Sequence, residues 1–242
     1  MLRHAILIGI FCGCLGFAAC AEEKEADEKM FVLLDRRIPG VHFSGQGLAD
    51  IVDFMRDVTG ANIFVDWQAL EAAGIGKNAP VKFQLAQGNF RTVMKGILEK
   101  VATLKGKAEL SVQEGVLVIS TPADPAHPRA SVTMGKLPAA ADRMLPEINL
   151  GGQALSDVIN FLKDVSGLKI EVDWTALEKA GIAKDAAVIV KVRDVKFYTA
   201  LRFVLESVSD GKSAIDCSSA GDVLKITAKP MAKKADEKKA EK

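Results

Sequence analysis

Residues 65–75 read VDWQALEAAGI, and residues 172–182 read VDWTALEKAGI. The offset between the two copies is 173 − 66 = 107 positions, and it aligns residues 36–120 with residues 143–227 without a gap. Roughly a third to two-fifths of the aligned positions are identical, which indicates an internal duplication rather than coincidence. The sequence therefore predicts two copies of one structural unit. We call them the first unit (residues 37–120) and the second unit (residues 143–227).

The repeated box has the marks of a short helix with a cap at each end. An aspartate precedes it, where a carboxylate accepts backbone N–H groups of the first turn. A glycine follows about two turns later, where a left-handed C-terminal residue is favoured. No third polar residue accompanies the aspartate and the tryptophan at a fixed spacing, so we interpret the box as structural rather than as a ligand site. Its defining residues are Asp66, Trp67 and Gly74 in the first unit and Asp173, Trp174 and Gly181 in the second.

Hydrophobic periodicity predicts the same elements on both sides of each box. Helical stripes of apolar residues run over 48–58 and 90–101, and again over 155–165 and 197–208. Short alternating or apolar runs between them predict strands. We therefore expect an α+β protein made of two tandem two-layer units. Each unit has the order β-α-β-(short α)-β-α-β-β, and a linker rich in proline and alanine joins them at residues 121–142.

The N-terminal residues predict export. A short basic start, an apolar run over 5–17 and a small-x-small pattern at 19–21 are typical of a signal peptide that is cleaved after Ala21. The alternative is a lipoprotein, because residues 17–20 (FAAC) resemble a lipobox that would leave a lipid on Cys20. The apolar run is too short to span a bilayer, so we expect no membrane span in the mature chain. The mature protein is expected to be periplasmic or secreted, or anchored through Cys20.

The segments that flank the units are predicted to have little structure of their own. Residues 22–36 combine a charged, solvated tether with an apolar run at 30–34, which would form an extra edge strand or a clasp onto one unit. Residues 228–242 read as a disordered charged tail. Without residues 1–21 the chain has 32 − 1 = 31 basic and 31 acidic residues. A net charge of zero argues against a nucleic-acid partner.

No residue pattern for catalysis or metal binding stands out. The histidines are His4, His42 and His127, which are scattered, and no cluster has metal-ligand spacing. Cys217 is the one cysteine left after signal-peptide cleavage, and it stands at an apolar strand position. We therefore expect a protein that is not an enzyme and has no cofactor.

The second unit resembles a known family. Residues 155–173 look like the helix-and-strand core of the short N-terminal domain shared by secretins and TonB-dependent receptors. Residues 192–201 resemble its second strand and helix, and residues 221–227 its closing strand. The looser counterparts in the first unit are residues 48–66, 81–97 and 115–120. The Asp-Trp box is similar to variants that occur as repeats in exported planctomycete-type bacterial proteins. The resemblance implies a non-catalytic periplasmic module that contacts protein partners or packs into rings. No pore domain follows the second unit, so we do not expect a channel.

Two functions are consistent with these features. The first is an exported interaction or scaffold module of the cell envelope that binds an envelope protein or associates with itself. The alternative is a periplasmic protein that binds a small ligand or a cell-wall glycan between the repeats. Candidate partner contacts are apolar residues at which the copies differ and which point away from their own stripe: Phe203, Phe64 and Ile189. Their counterparts are Gly96, Glu171 and Lys82. Either a partner or another part of the same chain covers these side chains.

Overall fold

The computed structural model describes residues 15–122, 131–135, 137–209, 213–220 and 223–230. Within these residues the chain has seven α-helices, one short 3-10 helix and eleven strands in several small sheets, which confirms the α+β class. Helix α1 (Leu15–Asp35) precedes the first unit. The elements of the first unit are β1 (Arg37–Gly47), α2 (Leu48–Thr59), β2 (Ile63–Val65), α3 (Trp67–Ala72), β3 (Pro80–Asn89), α4 (Phe90–Val101), β4 (Glu109–Gln113) and β5 (Val116–Ser120).

Between the units lie β6 (Ser131–Met134) and a 3-10 turn at Ala139–Asp142. The second unit then follows the element order of the first. Its elements are β7 (Met144–Ala154), α5 (Leu155–Ser166), β8 (Lys169–Val172), α6 (Trp174–Lys179), β9 (Ala187–Lys196), α7 (Phe197–Glu206), β10 (Ser213–Ala220) and β11 (Val223–Pro230).

The strands of each unit are divided between two sheets rather than joined in one. In the first unit β1 pairs antiparallel with β3, while β5 lies between parallel β2 and antiparallel β4. In the second unit β7 pairs with β9, and β11 lies between parallel β8 and antiparallel β10. The apolar stripes of α2 and α4 share one buried core with residues of both sheets. The predicted helical periodicity therefore defines the core-facing sides of these helices.

Glycines mark the same features in both units. Helices α2 and α5 end at Gly60 and Gly167, which have φ angles of 73° and 71°. Such left-handed residues close a helix at little cost only when they are glycine. The β1–β3 and β7–β9 pairs each have a register shift, between Ser44 and Gln46 and between residues 151 and 153. These two bulges lie 107 positions apart, as do the two helix ends.

The predicted tether is wrong in its local structure, because residues 22–29 belong to helix α1. The apolar run is the clasp rather than the edge strand. Met30 and Leu34 are buried in the core of the first unit, and Leu33 packs against it. The Asp27 carboxylate accepts a hydrogen bond from the Gly115 backbone N–H at 2.8 Å. Packing against the first unit thus orders a segment whose charge favours solvation.

The linker and tail boundaries also differ from the prediction. Residues 131–134 form strand β6, which pairs in parallel with β10, and Ala141 is buried in the core of the second unit. Residues 123–130 and 136 lie outside the described residues. Strand β11 continues to Pro230, with Ala228 buried opposite Ile215, so the predicted tail starts too early. Residues 231–242 lie outside the described part of the chain, as do residues 1–14 of the predicted signal peptide.

Candidate interaction surfaces

The aspartates of the two boxes cap their helices as N-terminal residues. The Asp66 carboxylate accepts a hydrogen bond from the Ala69 N–H at 3.0 Å, and Asp173 accepts one from the Ala176 N–H at 2.9 Å. Asp66 is also buried and accepts a second hydrogen bond, from the Ser120 hydroxyl at 3.0 Å, whereas Asp173 is exposed. The two caps therefore share a geometry but differ in burial.

The remaining box residues lie around the short helices. Gly74 and Gly181 follow them with φ angles of 78° and 84°. Trp67 and Trp174 are half-buried. A lysine lies over each ring: the Lys77 ammonium is 6.0 Å from the Trp67 ring centre, and that of Lys184 is 5.7 Å from the Trp174 ring centre. Each indole thus packs partly against the core of its own unit and has a lysine ammonium near its ring.

Phe203 is not a partner contact, because it is fully buried inside the molecule. Its ring stacks on that of Phe64, with 4.3 Å between the ring centres and 23° between the planes. Phe64 belongs to β2 of the first unit and Phe203 to α7 of the second, so the stack joins the units. Ile189 is half-buried on β9, a strand that contacts β2. The two phenylalanines, both candidate partner contacts in the sequence, therefore cover each other.

The differences between the copies follow from this junction. In the first unit the outer face of the β2–β5 pair is apolar, with Phe64 and Val118 buried against the second unit. The equivalent residues of the second unit are Glu171 and Lys225, an exposed ion pair at 3.9 Å. The outer face of this sheet is therefore apolar in the unit that is covered and charged in the unit that is not.

Helix α4 has no counterpart of Phe203 for a local reason. A Cβ atom added at Gly96 would lie 2.3 Å from the ring of Phe83 on β3. The Phe83 side chain thus occupies the space over this helical position in the first unit. A larger residue at position 96 would have to displace that ring.

Polar contacts fix the orientation of one unit against the other. The Asn62 side-chain amide donates to the Arg193 carbonyl at 2.7 Å, and its oxygen accepts from the Arg193 N–H at 3.2 Å. Lys191 donates to the Asp53 carboxylate at 3.2 Å, which also accepts from Arg56. Burial acts to raise the pKa of Asp53, but the hydrogen bonds from Arg56 and Lys191 hold that pKa below its ordinary value.

The turn between β4 and β5 reaches α7 of the second unit. Glu114, at the tip of this turn with a φ angle of 53°, pairs with Arg202 at 2.8 Å and accepts a hydrogen bond from the Thr199 hydroxyl. The Arg202 guanidinium also lies 5.1 Å from the centre of the Phe203 ring. Because both partners of the ion pair are largely buried, removing one would leave the other charge uncompensated.

Helix α1 contacts both units. The Tyr198 hydroxyl on α7 donates to the Glu23 carboxylate at 2.9 Å, while Met30 and Leu34 are buried in the first unit. Burial, together with the charges of Glu114 and Glu23, raises the pKa of Tyr198, so its phenol stays protonated as a donor. The helix therefore spans the junction.

A cleft of about 530 Å³ lies between α1 and the two units. Side chains of both signs surround it, including Glu25, Lys29, Arg193 and Lys196. Neither Trp67 nor Trp174 lines it. A cleft with mixed charge and no aromatic platform other than Tyr198 differs from the sugar-binding site that two exposed indoles would make.

A repeated stripe on the surface helices is the feature that sequence reasoning missed. Phe54 on α2 and Phe161 on α5 are exposed to 45% and 44%, and they are equivalent because 161 − 54 = 107. Each lies between two exposed aspartates at helical spacing, with a valine beside the second one. We call these sets the acidic–aromatic stripes: Asp50, Phe54, Asp57 and Val58 on α2, and Asp157, Phe161, Asp164 and Val165 on α5.

The stripes are identical in the two copies although their neighbours differ. Ala49, Asp53 and Arg56 of α2 correspond to Ser156, Asn160 and Lys163 of α5. The candidate contacts predicted from sequence lie only at positions where the copies differ, and the apolar run over 48–58 places Val58 on the buried side of α2. The signal that would have found this site is an aromatic residue present in both copies away from the core-facing positions. Val58 is in fact 44% exposed.

The remaining chemistry of the described part of the chain concerns three other kinds of feature: a reactive cysteine, a metal site and a membrane-spanning helix. Cys217 is fully buried, and burial, with a smaller effect of Asp216, raises the pKa of its thiol to about 12, so it is an inert core residue. Among the residues described, no three His, Cys, Asp or Glu side chains come together as metal ligands. The same residues include no helix with the length and apolar character needed to cross a membrane.

Comparison with known proteins gives no match for this chain among family models, curated proteins or solved structures.

Proposed function

We propose that this chain is an exported, non-enzymatic interaction module of the bacterial cell envelope, and that the two acidic–aromatic stripes are its partner-binding surfaces. The observation that carries the proposal is that both units have the same Asp, Phe, Asp and Val on equivalent helices, with the two aspartates and the phenylalanine exposed in each, while Val58 is exposed and Val165 half-buried. A phenylalanine on a helix surface offers an anchor of the kind that dominates protein interfaces. Two copies of one surface make the chain bivalent.

The charge of the stripes supports a partner of complementary chemistry. The four aspartates that flank the phenylalanines are all exposed, while Arg56 is occupied by Asp53 and the Ile63 carbonyl. The partner surface is therefore a basic one with an apolar pocket for the phenyl ring. Binding is expected to weaken as salt rises, because exposed charges are screened.

The experiment compares capture from the native envelope by matched variants. Immobilised wild type, Phe54→Ser, Phe161→Ser, the double variant and Phe31→Ser are exposed to the same extract, and bound proteins are quantified by mass spectrometry. Phe31 on α1 is 44% exposed and lies outside both stripes, so its variant is the matched control. We expect the double variant to lose about tenfold in capture of the specific partner, each single variant to lose less, and the control to bind as the wild type does.

Two results would contradict the proposal. One is equal capture by the double variant and the wild type. The other is loss of capture by the Phe31→Ser control as well, which would point to non-specific adhesion of exposed aromatic residues.

Sedimentation of each variant in parallel reports self-association, which would assign the stripes to a second copy of this chain. Intact mass of the native protein tests export, since it distinguishes a chain that starts at Glu22 from one that carries lipid on Cys20.

The cleft between the units favours a second candidate, the binding of a small ligand. Its volume of about 530 Å³ is adequate for a molecule the size of a disaccharide. Side chains of both signs line it, which favours a ligand that carries both charges. Calorimetric titration with soluble cell-wall fragments, compared between the wild type and Lys196→Glu, tests this alternative independently of the stripes.

A further inference from the structure

In the second unit, strands β8, β11 and β10 form a sheet whose β10 edge pairs with a fourth strand, β6, from outside residues 143–227. Strand β6 pairs in parallel with β10, so that residues 131–134 lie opposite residues 214–217. The Gly135 N–H donates to the Cys217 carbonyl at 2.7 Å. Val132 and Met134 alternate with polar residues and pack against the core of the second unit. An extended segment with apolar residues at alternate positions thus completes this sheet.

The equivalent edge of the first unit has no such strand. Residues 107–110 correspond to residues 214–217, and within the described residues β4 pairs only with β5. Ala108 and Leu110 are half-exposed, whereas their counterparts Ile215 and Cys217 are fully buried. Helix α1 packs against β4, and the hydrogen bond that the described residues make between α1 and this hairpin lies at Gly115, beyond the other end of β4.

The direction of the free backbone groups follows from the second unit. The Cys217 carbonyl points toward β6, and the N–H and carbonyl of one strand residue point to the same side. By equivalence with Cys217 and Ile215 the backbone groups of Leu110 and of Ala108 face the open edge, with Ala108 lying directly before the first residue of β4. Ile119 on β5 lies opposite Leu110 on β4. The Ile119 carbonyl accepts a hydrogen bond from the Asp66 N–H, which lies on the other side of β5, so the backbone groups of Ile119 point away from β4. The comparison with Cys217 and the hydrogen bond of Ile119 therefore agree that the backbone N–H and carbonyl of Leu110 point away from β5, toward the edge where no strand pairs.

Two features beside this edge, an exposed apolar side chain and a charged pair, restrict which strand can pair with it. Leu104, in the turn just before β4, is fully exposed. Lys107 and Glu109 form an ion pair at 3.0 Å, and charged side chains of this kind prevent indiscriminate pairing of a free edge. Together they give the edge an apolar contact and a charge pattern that an incoming strand must match.

We propose that residues 107–110 accept an extended segment of a partner protein, added in parallel to β4 as β6 is added to β10. The segment has the chemistry of β6, with apolar side chains at alternate positions and polar ones between them. Backbone hydrogen bonds hold it, and the apolar side chains cover Ala108 and Leu110. This surface is separate from the acidic–aromatic stripes and does not depend on them.

The probe is a fluorescent synthetic peptide of residues 128–137, which contains the strand β6 that pairs with the equivalent edge of the second unit. Fluorescence anisotropy against the full chain is expected to show saturable binding. Ala108→Pro removes an N–H that faces the open edge, a position where a sheet tolerates proline, and is expected to weaken binding by about tenfold. Ala108→Ser keeps the N–H and is the matched protein control, with melting curves to verify that both variants fold.

Two peptides of equal mass make the test independent of any protein variant. Because the Gly135 N–H points toward β10, the Thr133 N–H does too, and the Met134 N–H points away. N-methylation at Thr133 is expected to weaken binding by about tenfold, and N-methylation at Met134 is expected to leave it within about twofold. The Phe54→Ser/Phe161→Ser double variant is expected to bind the peptide as the wild type does, which separates this site from the proposed stripes.

Equal binding of the two methylated peptides would overturn the proposal, as would undiminished binding to the Ala108→Pro protein. The latter result would mean that the peptide displaces β6 from its own place. Absence of binding to the wild type would also overturn it. A dimer that forms without peptide and protects the amides of residues 107–110 from exchange would assign the edge to a second copy instead.

Discussion

Asp66 and Asp173 are the same residue in the same motif, and yet their surroundings differ. Both cap a short helix, but Asp66 is buried and also accepts a hydrogen bond from Ser120. The cap itself could be predicted from sequence, because its donor is three residues away. The burial could not, because Ser120 is 54 positions distant and its approach depends on the pairing of β2 with β5.

The difference in burial leads to a prediction for the two caps. Asp173→Ala should lower the free energy of unfolding by about 1 kcal/mol, the usual cost of a lost N-cap. Asp66→Ala should cost about 2 kcal/mol, since it also leaves the buried Ser120 hydroxyl without this acceptor. Urea denaturation of the two variants measures both values. Equal costs would mean that the Ser120 contact adds nothing to stability.

At the scale of elements, α1 and β6 are the parts that sequence reasoning missed. Residues 22–29 are charged, and the Glu25–Lys29 ion pair at 2.8 Å is exposed and contributes little by itself. A helix of this kind forms in proteins chiefly through tertiary packing. Strand β6 has only four residues and follows a proline-rich stretch, so only its pairing with β10 identifies it. The helices with full apolar stripes were predictable because their pattern is local.

The packing of α1 can be tested by a pair of substitutions on the same helix. Leu34 is 2% exposed in the core of the first unit, whereas Phe31 is 44% exposed. Leu34→Ala should destabilise the chain by about 2–5 kcal/mol through lost burial and a cavity. Phe31→Ala should cost about 0.5 kcal/mol or less, as expected at a surface position. Thermal or urea melts decide. If Leu34→Ala has as small an effect as Phe31→Ala, α1 is not part of the folded core.

At the scale of the whole molecule, the sequence identified the residues of the junction but not the junction. The contrasts between Phe64 and Glu171 and between Phe203 and Gly96 are visible once the copies are aligned. Their meaning depends on a contact between residues 203 − 64 = 139 positions apart, and no local periodicity reports such a distance. The alignment therefore left open whether a partner or another part of the chain covers each phenylalanine.

The junction predicts that the two units unfold together. The Phe64–Phe203 stack and the Asn62 and Glu114 contacts couple the units, so we expect the wild type to show one calorimetric transition. Phe203→Ala should cost about 3–5 kcal/mol and split the transition in two, because the interface loses its central contact. Phe161→Ala, at an exposed position, is the control and should keep one transition. Two transitions in the wild type would show that the junction is too weak to couple the units.

The charged pair Glu171–Lys225 also has a consequence for how long an array of such repeats can grow. Each added repeat needs an apolar sheet face on its predecessor, and the first unit supplies one through Phe64 and Val118. The second unit presents Glu171 and Lys225 at the same positions, so a third repeat would have to bury an ion pair in order to dock. Repeat arrays need such a polar end to stay soluble. The second unit therefore presents a charged sheet face where the first unit presents an apolar one.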